Sequence, residues 1–215
     1  MRVFPLAPAA CALAAVLASA CAAQGGGRSG LASAPAALDW RQLATDSDRF
    51  RLRQWRNAWM RALAEARTGG HAADVAKEGA LLQPDAAIEW RTPPMGEYDC
   101  RVIKLGTKGA AGLPYVAYPP FRCRIRDEGG MTSFAKLSGS QRPLGLLVPA
   151  RGGDRMVFLG TLQLGDETRA LQYGRDRERD MAGFLDRIGP NRWRLAFPQP
   201  HFESKMDVME LVPRE

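Results

Sequence analysis

Residues 121–126 read Phe-Arg-Cys-Arg-Ile-Arg, a run in which apolar and basic side chains alternate at every position. A similar alternation occurs in residues 98–102, Tyr-Asp-Cys-Arg-Val, and in residues 192–197, Arg-Trp-Arg-Leu-Ala-Phe. A period of two is typical of a β-strand that is buried on one face. The three runs therefore predict strands with an apolar inner face and an outer face rich in arginine.

The region after Pro94 contains further runs of this kind, separated by short segments rich in glycine. Such segments are typical of turns between neighbouring strands. Parallel strands need long crossover connections, so the short ones predict an antiparallel meander, which eight or nine strands can close into a small barrel. The predicted strands cover residues 97–105, 115–126, 131–137, 143–148, 155–164, 168–173, 181–188, 192–197 and 206–212.

The inner face of this barrel is predicted to hold large apolar side chains. Small barrels either fill with their own side chains or hold one small apolar ligand. The pattern leaves both arrangements open. The candidate interior residues are Phe121, Phe158, Trp193, Leu195 and Phe197.

Residues 38–94, which precede the strands, follow a helical pattern with apolar residues at spacings of three and four. Residues 69–70, Gly-Gly, end the first helix, and a second, shorter helix is predicted over residues 72–82. The predicted fold class is therefore α+β, mainly β, with an N-terminal helical hairpin packed on an antiparallel meander or small barrel of eight or nine strands in residues 95–215. The apolar stripe comprises Leu52, Trp55, Trp59, Ala62 and Ala66.

Residues 1–20 have the layout of a secretory signal peptide, with a basic start, an apolar middle and the small residues Ala-Ser-Ala at 18–20. The small residues before Cys21 resemble a bacterial lipoprotein signal, which implies lipidation of that cysteine. Leu17 lies four residues before Cys21, whereas the lipoprotein pattern prefers leucine at three. Simple secretion and retention of the segment as an anchor are the alternatives.

All three alternatives place the folded part outside the cytoplasm, as a periplasmic protein or an outer-membrane lipoprotein. Residues 21–37 are rich in glycine, serine, alanine and proline and predict a flexible tether. Contact with the membrane is expected only through a lipid anchor, and the folded unit is expected over residues 38–215.

Cys100 and Cys123 are the two cysteines of the strand region, and both fall on the inward face. Their spacing does not match a CxxC metal site. A direct pairing of the two would centre a hairpin turn between Ala111 and Gly112, where turn residues occur. Because disulfides are the expected state in an oxidising compartment, we predict a Cys100–Cys123 bridge, with two free buried thiols as the alternative. Residues 119–120, Pro-Pro, could introduce a bulge that shifts the register.

The charge pattern argues against a nucleic-acid partner. The chain has 30 basic and 23 acidic residues, a net charge of +7, but the arginines are spread along the sequence and no basic stripe with interleaved aromatic residues is present. A milder interpretation of the same charge is that the protein binds an anionic envelope polymer or a lipid headgroup.

His201, Glu203, Ser204 and Asp207 supply the residue types of a catalytic triad. In a strand, however, Ser204 would lie on the opposite face from His201, and the chain lacks a GxSxG nucleophile elbow. With two histidines and no acidic cluster, the sequence predicts neither a metal site nor a cofactor, and no catalytic residue is assigned.

Several short runs, spread over most of the chain, form a set. They are Cys100-Arg101-Val102-Ile103-Lys104-Leu105-Gly106, Phe134-Ala135-Lys136-Leu137, Met156-Val157-Phe158-Leu159-Gly160, Glu178-Arg179-Asp180-Met181, Arg192-Trp193-Arg194-Leu195 and His201-Phe202-Glu203-Ser204. They resemble a bacterial family of exported proteins known as domain of unknown function (DUF) 4893, over about residues 39–213. The resemblance implies no activity and no catalytic residue. More loosely, the meander with Gly96-Glu97-Tyr98 on its first strand resembles lipocalin-like barrels.

From these patterns we predict a non-enzymatic envelope protein whose barrel binds a small apolar or lipid-like ligand. One alternative is a protein-interaction module, such as an inhibitor of a secreted hydrolase or an envelope assembly factor, which predicts an exposed apolar patch. A second alternative is a hydrolase that uses His201. The sequence leaves the identity of a ligand or envelope partner and the oligomeric state open.

Overall fold

The computed structural model describes residues 38–109 and 112–214. The predicted signal peptide, the tether and the candidate lipidation site Cys21 lie outside the described residues. Helical segments occupy the first part of this region, and strands occupy the part from residue 96 onward.

Four α-helices precede the sheet, and they pack on two separate parts of the outer surface of the barrel. A π-helical turn at Arg67–His71 joins the third helix to the fourth, and a 3-10 turn at Gly79–Leu81 follows. Side chains cap the first two helices, since Asp39 and Thr45 each accept a hydrogen bond from a backbone N–H of the first turn. The helices are α1 (Trp40–Leu43), α2 (Asp46–Arg53), α3 (Trp55–Ala66) and α4 (Ala72–Lys77).

Nine antiparallel strands follow. Eight of them close into a barrel in the order β1-β3-β4-β5-β6-β7-β8-β9, with β9 pairing back onto β1, and β2 is an additional short strand beside β1. The predicted fold class is confirmed. The strands are β1 (Gly96–Thr107), β2 (Tyr115–Ala117), β3 (Phe121–Asp127), β4 (Thr132–Lys136), β5 (Gln141–Pro149), β6 (Met156–Leu164), β7 (Asp180–Gly189), β8 (Arg192–Pro198) and β9 (Ser204–Pro213).

The register of β1 with its neighbours differs from the prediction. Cys100 lies opposite Phe121 and Cys123 lies opposite Tyr98, so the pairing is displaced by two residues from a direct match of the cysteines. The two sulfurs nevertheless form the predicted disulfide between diagonal neighbours, with Cα atoms 5.9 Å apart. The displacement arises at residues 118–120, where prolines cannot donate to the ladder and the predicted single strand 115–126 divides into β2 and β3.

The strand predicted over residues 168–173 is wrong. Residues 165–179 form an irregular connection between β6 and β7. The Tyr173 side chain leaves the barrel and reaches α2, where its hydroxyl donates to Asp48 at 2.5 Å and accepts from the Thr45 N–H at 3.1 Å. Tyr173 therefore anchors this connection to α2, outside the hydrogen-bonded sheet.

The helices explain why several strands are apolar on both faces. Trp59, Ala62 and Leu63 of α3 pack on the outer face of β1, β8 and β9. Leu52 of α2 packs separately on the outer face of β5, β6 and β7. The predicted stripe therefore belongs to two helices with a break at Gln54, each covering a different part of the barrel.

The outer arginines do not all face solvent. Arg194 is 0% exposed. Its guanidinium lies between Asp186 and the carbonyl oxygens of Ala80 and Pro84, at the end of the helical cover. Among the described residues, no helix combines the length and the apolarity that a bilayer crossing requires.

Candidate functional site

The middle of the barrel is filled by side chains. Phe158 meets Phe134 and Phe197 edge-on, with ring centroids 5.9 and 5.4 Å apart. Trp193 closes one end of the barrel, where its indole N–H donates to the carbonyl of Arg91 at 3.0 Å. The candidate interior residues Phe158, Trp193, Leu195 and Phe197 all belong to this packed cluster, and Phe121 is half-buried at its edge.

The opposite end of the barrel from Trp193 holds a cavity of about 40 Å³, enough for about three water molecules. We call this end the mouth. Its floor is apolar and comes from inward side chains of five strands, while its rim is polar and comes from the strand ends. The floor comprises Val102, Leu162, Met181, Phe197 and Met209, and the rim comprises Lys104, Lys136, Gln141 and Asp207.

Lys104 lies at the centre of the polar rim, and its side chain is only 9% exposed. Its ammonium donates to Gln141 Oε1 at 2.8 Å, lies 2.8 Å from Glu203 Oε2 and lies 3.7 Å from Asp207 Oδ2. Burial acts to lower the pKa of Lys104, but the two carboxylates outweigh it and leave that pKa raised. Lys104 is therefore a cation at neutral pH.

Lys136 is the second buried lysine of the rim. Its ammonium donates to the carbonyl oxygens of Ser138 and Gln141 at 2.8 and 2.9 Å and lies 3.5 Å from the centre of the Phe121 ring. Among the described residues it has no carboxylate within ion-pairing distance. Burial, with repulsion from Lys104, lowers the pKa of Lys136 to about 8.

Asp207 lies opposite Lys104 on the neighbouring strand β9. It accepts a hydrogen bond from the Ser204 hydroxyl. Burial raises the pKa of Asp207 above its ordinary value, against the opposing effect of Lys104. The rim thus carries two lysines, of which Lys104 faces the carboxyl groups of Asp207 and Glu203.

Residues 199–203, between β8 and β9, cover the mouth, and we call this segment the lid. Gln199 and Glu203 at its two ends have φ angles of +49° and +65°, the left-handed region that residues with a Cβ rarely adopt. Lys108 holds the lid from outside, because its ammonium donates to the carbonyl oxygens of Pro200 and His201. The lid side chains that face the cavity are Pro200, His201 and Phe202.

The structure brings the residues of the candidate triad to one region but not into a catalytic arrangement. The His201 ring is 44% exposed and its Nε2 lies 3.6 Å from Glu178. Ser204 donates to Asp207, and Glu203 turns toward Lys104. The hydroxyl therefore lacks the histidine partner that would activate it as a nucleophile.

Sequence reasoning missed the two lysines, although the signal was present. Lys104 continues the inward series Cys100 and Val102, and Lys136 follows Phe134 on the same face. A lysine at the end of an inward series can carry its charge to the rim of a barrel along an apolar stem. The described residues contain no group of three or more potential metal-ligating side chains.

Fold and site together define a mainly β protein, a closed eight-stranded antiparallel barrel with a helical cover and a lysine-bearing cavity at one end. The family model for a domain of unknown function, DUF4893, matches residues 40–211, and the chain belongs to this family. The resemblance found in the sequence is thereby confirmed. Comparison with curated proteins and with solved structures gave no match.

Proposed function

We propose that this protein is an exported cell-envelope module that binds a small ligand at the mouth of its barrel and does not transform it. The observation that carries the proposal is the partly open cavity with an apolar floor and two buried lysines at its rim. Ligand sites of proteins typically combine apolar walls with a few fixed polar groups.

Two features support export. Residues 1–20 have the layout of a signal peptide, and Cys21 follows them as a candidate lipid attachment site. The Cys100–Cys123 disulfide is a bond that persists in oxidising compartments outside the cytoplasm.

The packing of the barrel limits where a ligand fits. Side chains occupy the middle, so an apolar ligand in the barrel interior, one of the two arrangements that the sequence pattern left open, would need to displace the packed rings of Phe158 and Phe197. The mouth already has space and polar groups. We therefore place the ligand there, with its polar end at the rim.

Native mass spectrometry of the protein purified from its own envelope fraction tests this proposal. Val102 lines the cavity, so Val102→Phe should fill it and remove a small molecule that the wild type retains. Val212→Phe is the matched control, because Val212 is 39% exposed on the outer face. Equal retention by both variants, no retained molecule on the wild type, or recovery only from the cytoplasm would contradict the proposal.

The interaction-module alternative predicts a different native spectrum, with a bound protein and no small molecule. An apolar groove of about 310 Å³ on the outer face of β5 and β6, lined by Leu43, Leu146 and Leu171, is the feature that favours it. The hydrolase alternative has less support, since Ser204 donates to Asp207 and not to His201.

A further inference from the structure

We infer that the lid residue Glu203 occupies the place of a ligand carboxylate, and that the mouth binds a carboxylate with a short apolar chain, which displaces Glu203 from Lys104. The inference rests on the proposed binding function and names its ligand class. No covalent bond changes in this exchange.

The contacts of Glu203 define a carboxylate subsite. One oxygen lies 2.8 Å from the Lys104 ammonium, and the other accepts from the Gln141 side-chain amide at 3.1 Å. Both donors belong to the barrel, whereas Glu203 reaches them from the lid with its own side chain 56% exposed. Any carboxylate of the same size can accept these two hydrogen bonds, so the subsite is not specific for Glu203.

The surface below the subsite selects the rest of the ligand. From Lys104 inward, the wall of the mouth is formed by Val102, Met181, Phe197 and Met209, with no charged group among them. A ligand whose carboxylate replaces that of Glu203 would lay the start of its chain on these side chains, and a longer chain would need the lid to move, because the closed cavity measures only about 40 Å³. Methionines adapt their shape to a flexible chain, which suits a saturated alkyl group.

Two residues of the lid hold strained backbone angles, which favours this exchange. Gln199 and Glu203 both hold left-handed φ angles that are unfavourable for residues with a Cβ. Contacts from Lys104 and Lys108 hold the lid closed in spite of these angles. Loss of the Glu203–Lys104 contact to an incoming carboxylate therefore removes one of the side-chain contacts that hold the lid.

Lys136 provides a second positive charge for the headgroup of the ligand. Glu203 and Asp207 face Lys104, but the described residues place no carboxylate on Lys136, so its ammonium is open to a second interaction with an incoming anion when the lid is closed. A cation in a site of low dielectric attracts an anionic headgroup more strongly than it would in water.

Isothermal titration with octanoate, octanol and octylphosphonate tests the inference on the full mature chain. We expect octanoate to bind at least about tenfold more tightly than octanol, since the neutral alcohol lacks the charge that strengthens a hydrogen bond from Lys104. Glu203→Gln should tighten octanoate binding by about tenfold, because the amide competes less well for the ammonium. Glu178→Gln is the matched control, since Glu178 also lines the cavity but pairs with His201.

The possible results separate the inference from the proposed function. Equal binding of octanoate and octanol, with no effect of Glu203→Gln, would overturn the carboxylate assignment and leave the mouth as a ligand site. Tighter binding of octylphosphonate than octanoate would overturn it in favour of a phosphate-like anion. Failure of all three probes on both wild type and Glu203→Gln overturns the inference, while the ligand retained in native spectra tests the proposed function separately.

Lys104→Met should lose octanoate binding by at least about tenfold. Because this variant leaves Asp207 without its cation and can fold poorly, Glu203→Gly provides a second measurement on an intact rim. Glycine accepts the left-handed φ of +65° and removes the competing carboxylate, so octanoate should bind more tightly than to the wild type. Weaker binding to a folded Glu203→Gly would contradict the exchange.

Discussion

At the scale of single residues, the polar rim of the mouth shows how environment overrides residue type. Lys104 and Lys136 are both buried, yet the pKa of Lys104 is raised and that of Lys136 is lowered. The difference follows from their partners, since Lys104 faces two carboxyl groups and Lys136 faces two neutral carbonyls and an aromatic ring.

The lowered pKa of Lys136 predicts a specific dependence of stability on pH. The folded state releases the Lys136 proton near pH 8, whereas the unfolded chain holds it to about pH 10.4. Between these values the unfolded state binds more protons, so the free energy of unfolding rises with pH through this group. Lys136 thus destabilises the fold most below pH 8, by about 2–3 kcal/mol relative to pH 10.5.

Urea unfolding of wild type and Lys136→Met at pH 7 and pH 10 measures this effect. We expect the variant to gain relative to the wild type at pH 7 and to lose most of that gain at pH 10. Comparison of the two proteins at each pH cancels the titration of the tyrosines. A difference in unfolding free energy that stays constant between pH 7 and pH 10 would contradict the assignment.

At the scale of elements, glycines let two neighbouring strands approach each other. Gly145 of β5 lies opposite Gly160 of β6. A Cβ at Gly160 would contact the backbone carbonyl of Leu144 and lie 2.6 Å from Phe158 Cζ. The phenylalanine ring can fill the interior at this level only because Gly160 has no side chain.

Gly160→Ala should therefore destabilise the barrel by about 2–3 kcal/mol through overpacking, since neither the backbone carbonyl nor the buried ring can move freely. Gly165→Ala is the matched control, because its added Cβ would meet Ser140 only at ordinary contact distances of 3.4 and 3.5 Å. Chemical denaturation monitored by near-UV circular dichroism gives both values. Equal stability of the two variants would show that the strands can separate at no cost.

The helices illustrate what periodicity can and cannot predict. Leu52 and Trp59 occupy the expected apolar positions, yet they belong to α2 and α3 and contact different strands. The spacing of three and four continues across Gln54 because it depends only on which residues are apolar. The break depends on which part of the curved barrel surface each helix meets.

At the scale of the whole molecule, the disulfide joins β1 to its barrel neighbour β3 within the packed interior. Cross-linking of positions 23 apart in sequence restricts the unfolded chain, an effect worth about 3 kcal/mol on loop-entropy arithmetic. The ladder of β1 and β3 spans five residue pairs, so we expect the native register to form without the bond as well.

Replacement of both cysteines by alanine should lower the free energy of unfolding by about 3 kcal/mol and still give a folded protein. Thermal unfolding with and without reductant provides the control, because the reductant should destabilise the wild type and leave the double variant unchanged. Mass spectrometry without reductant should show no reactive thiol at either position, and free thiols there would contradict the bridge.

The sequence by itself determined the class of the fold, the inward face of most strands and the disulfide partners. Alternation along a strand is a local property, and it follows from the pleat alone. For the same reason Phe158, Trp193 and Leu195 could be placed in the interior before their neighbours were known.

Only the tertiary structure decided the register at Cys100, the burial of Arg194 and the composition of the mouth. Lys104, Lys136 and Gln141 line one cavity because the closed barrel brings β1, β4 and β5 together at this end. The charge of such a group, and so its chemistry, depends on neighbours that no local pattern specifies. The sequence predicted a small antiparallel barrel, and only the folded structure shows that two lysines lie at one end of it.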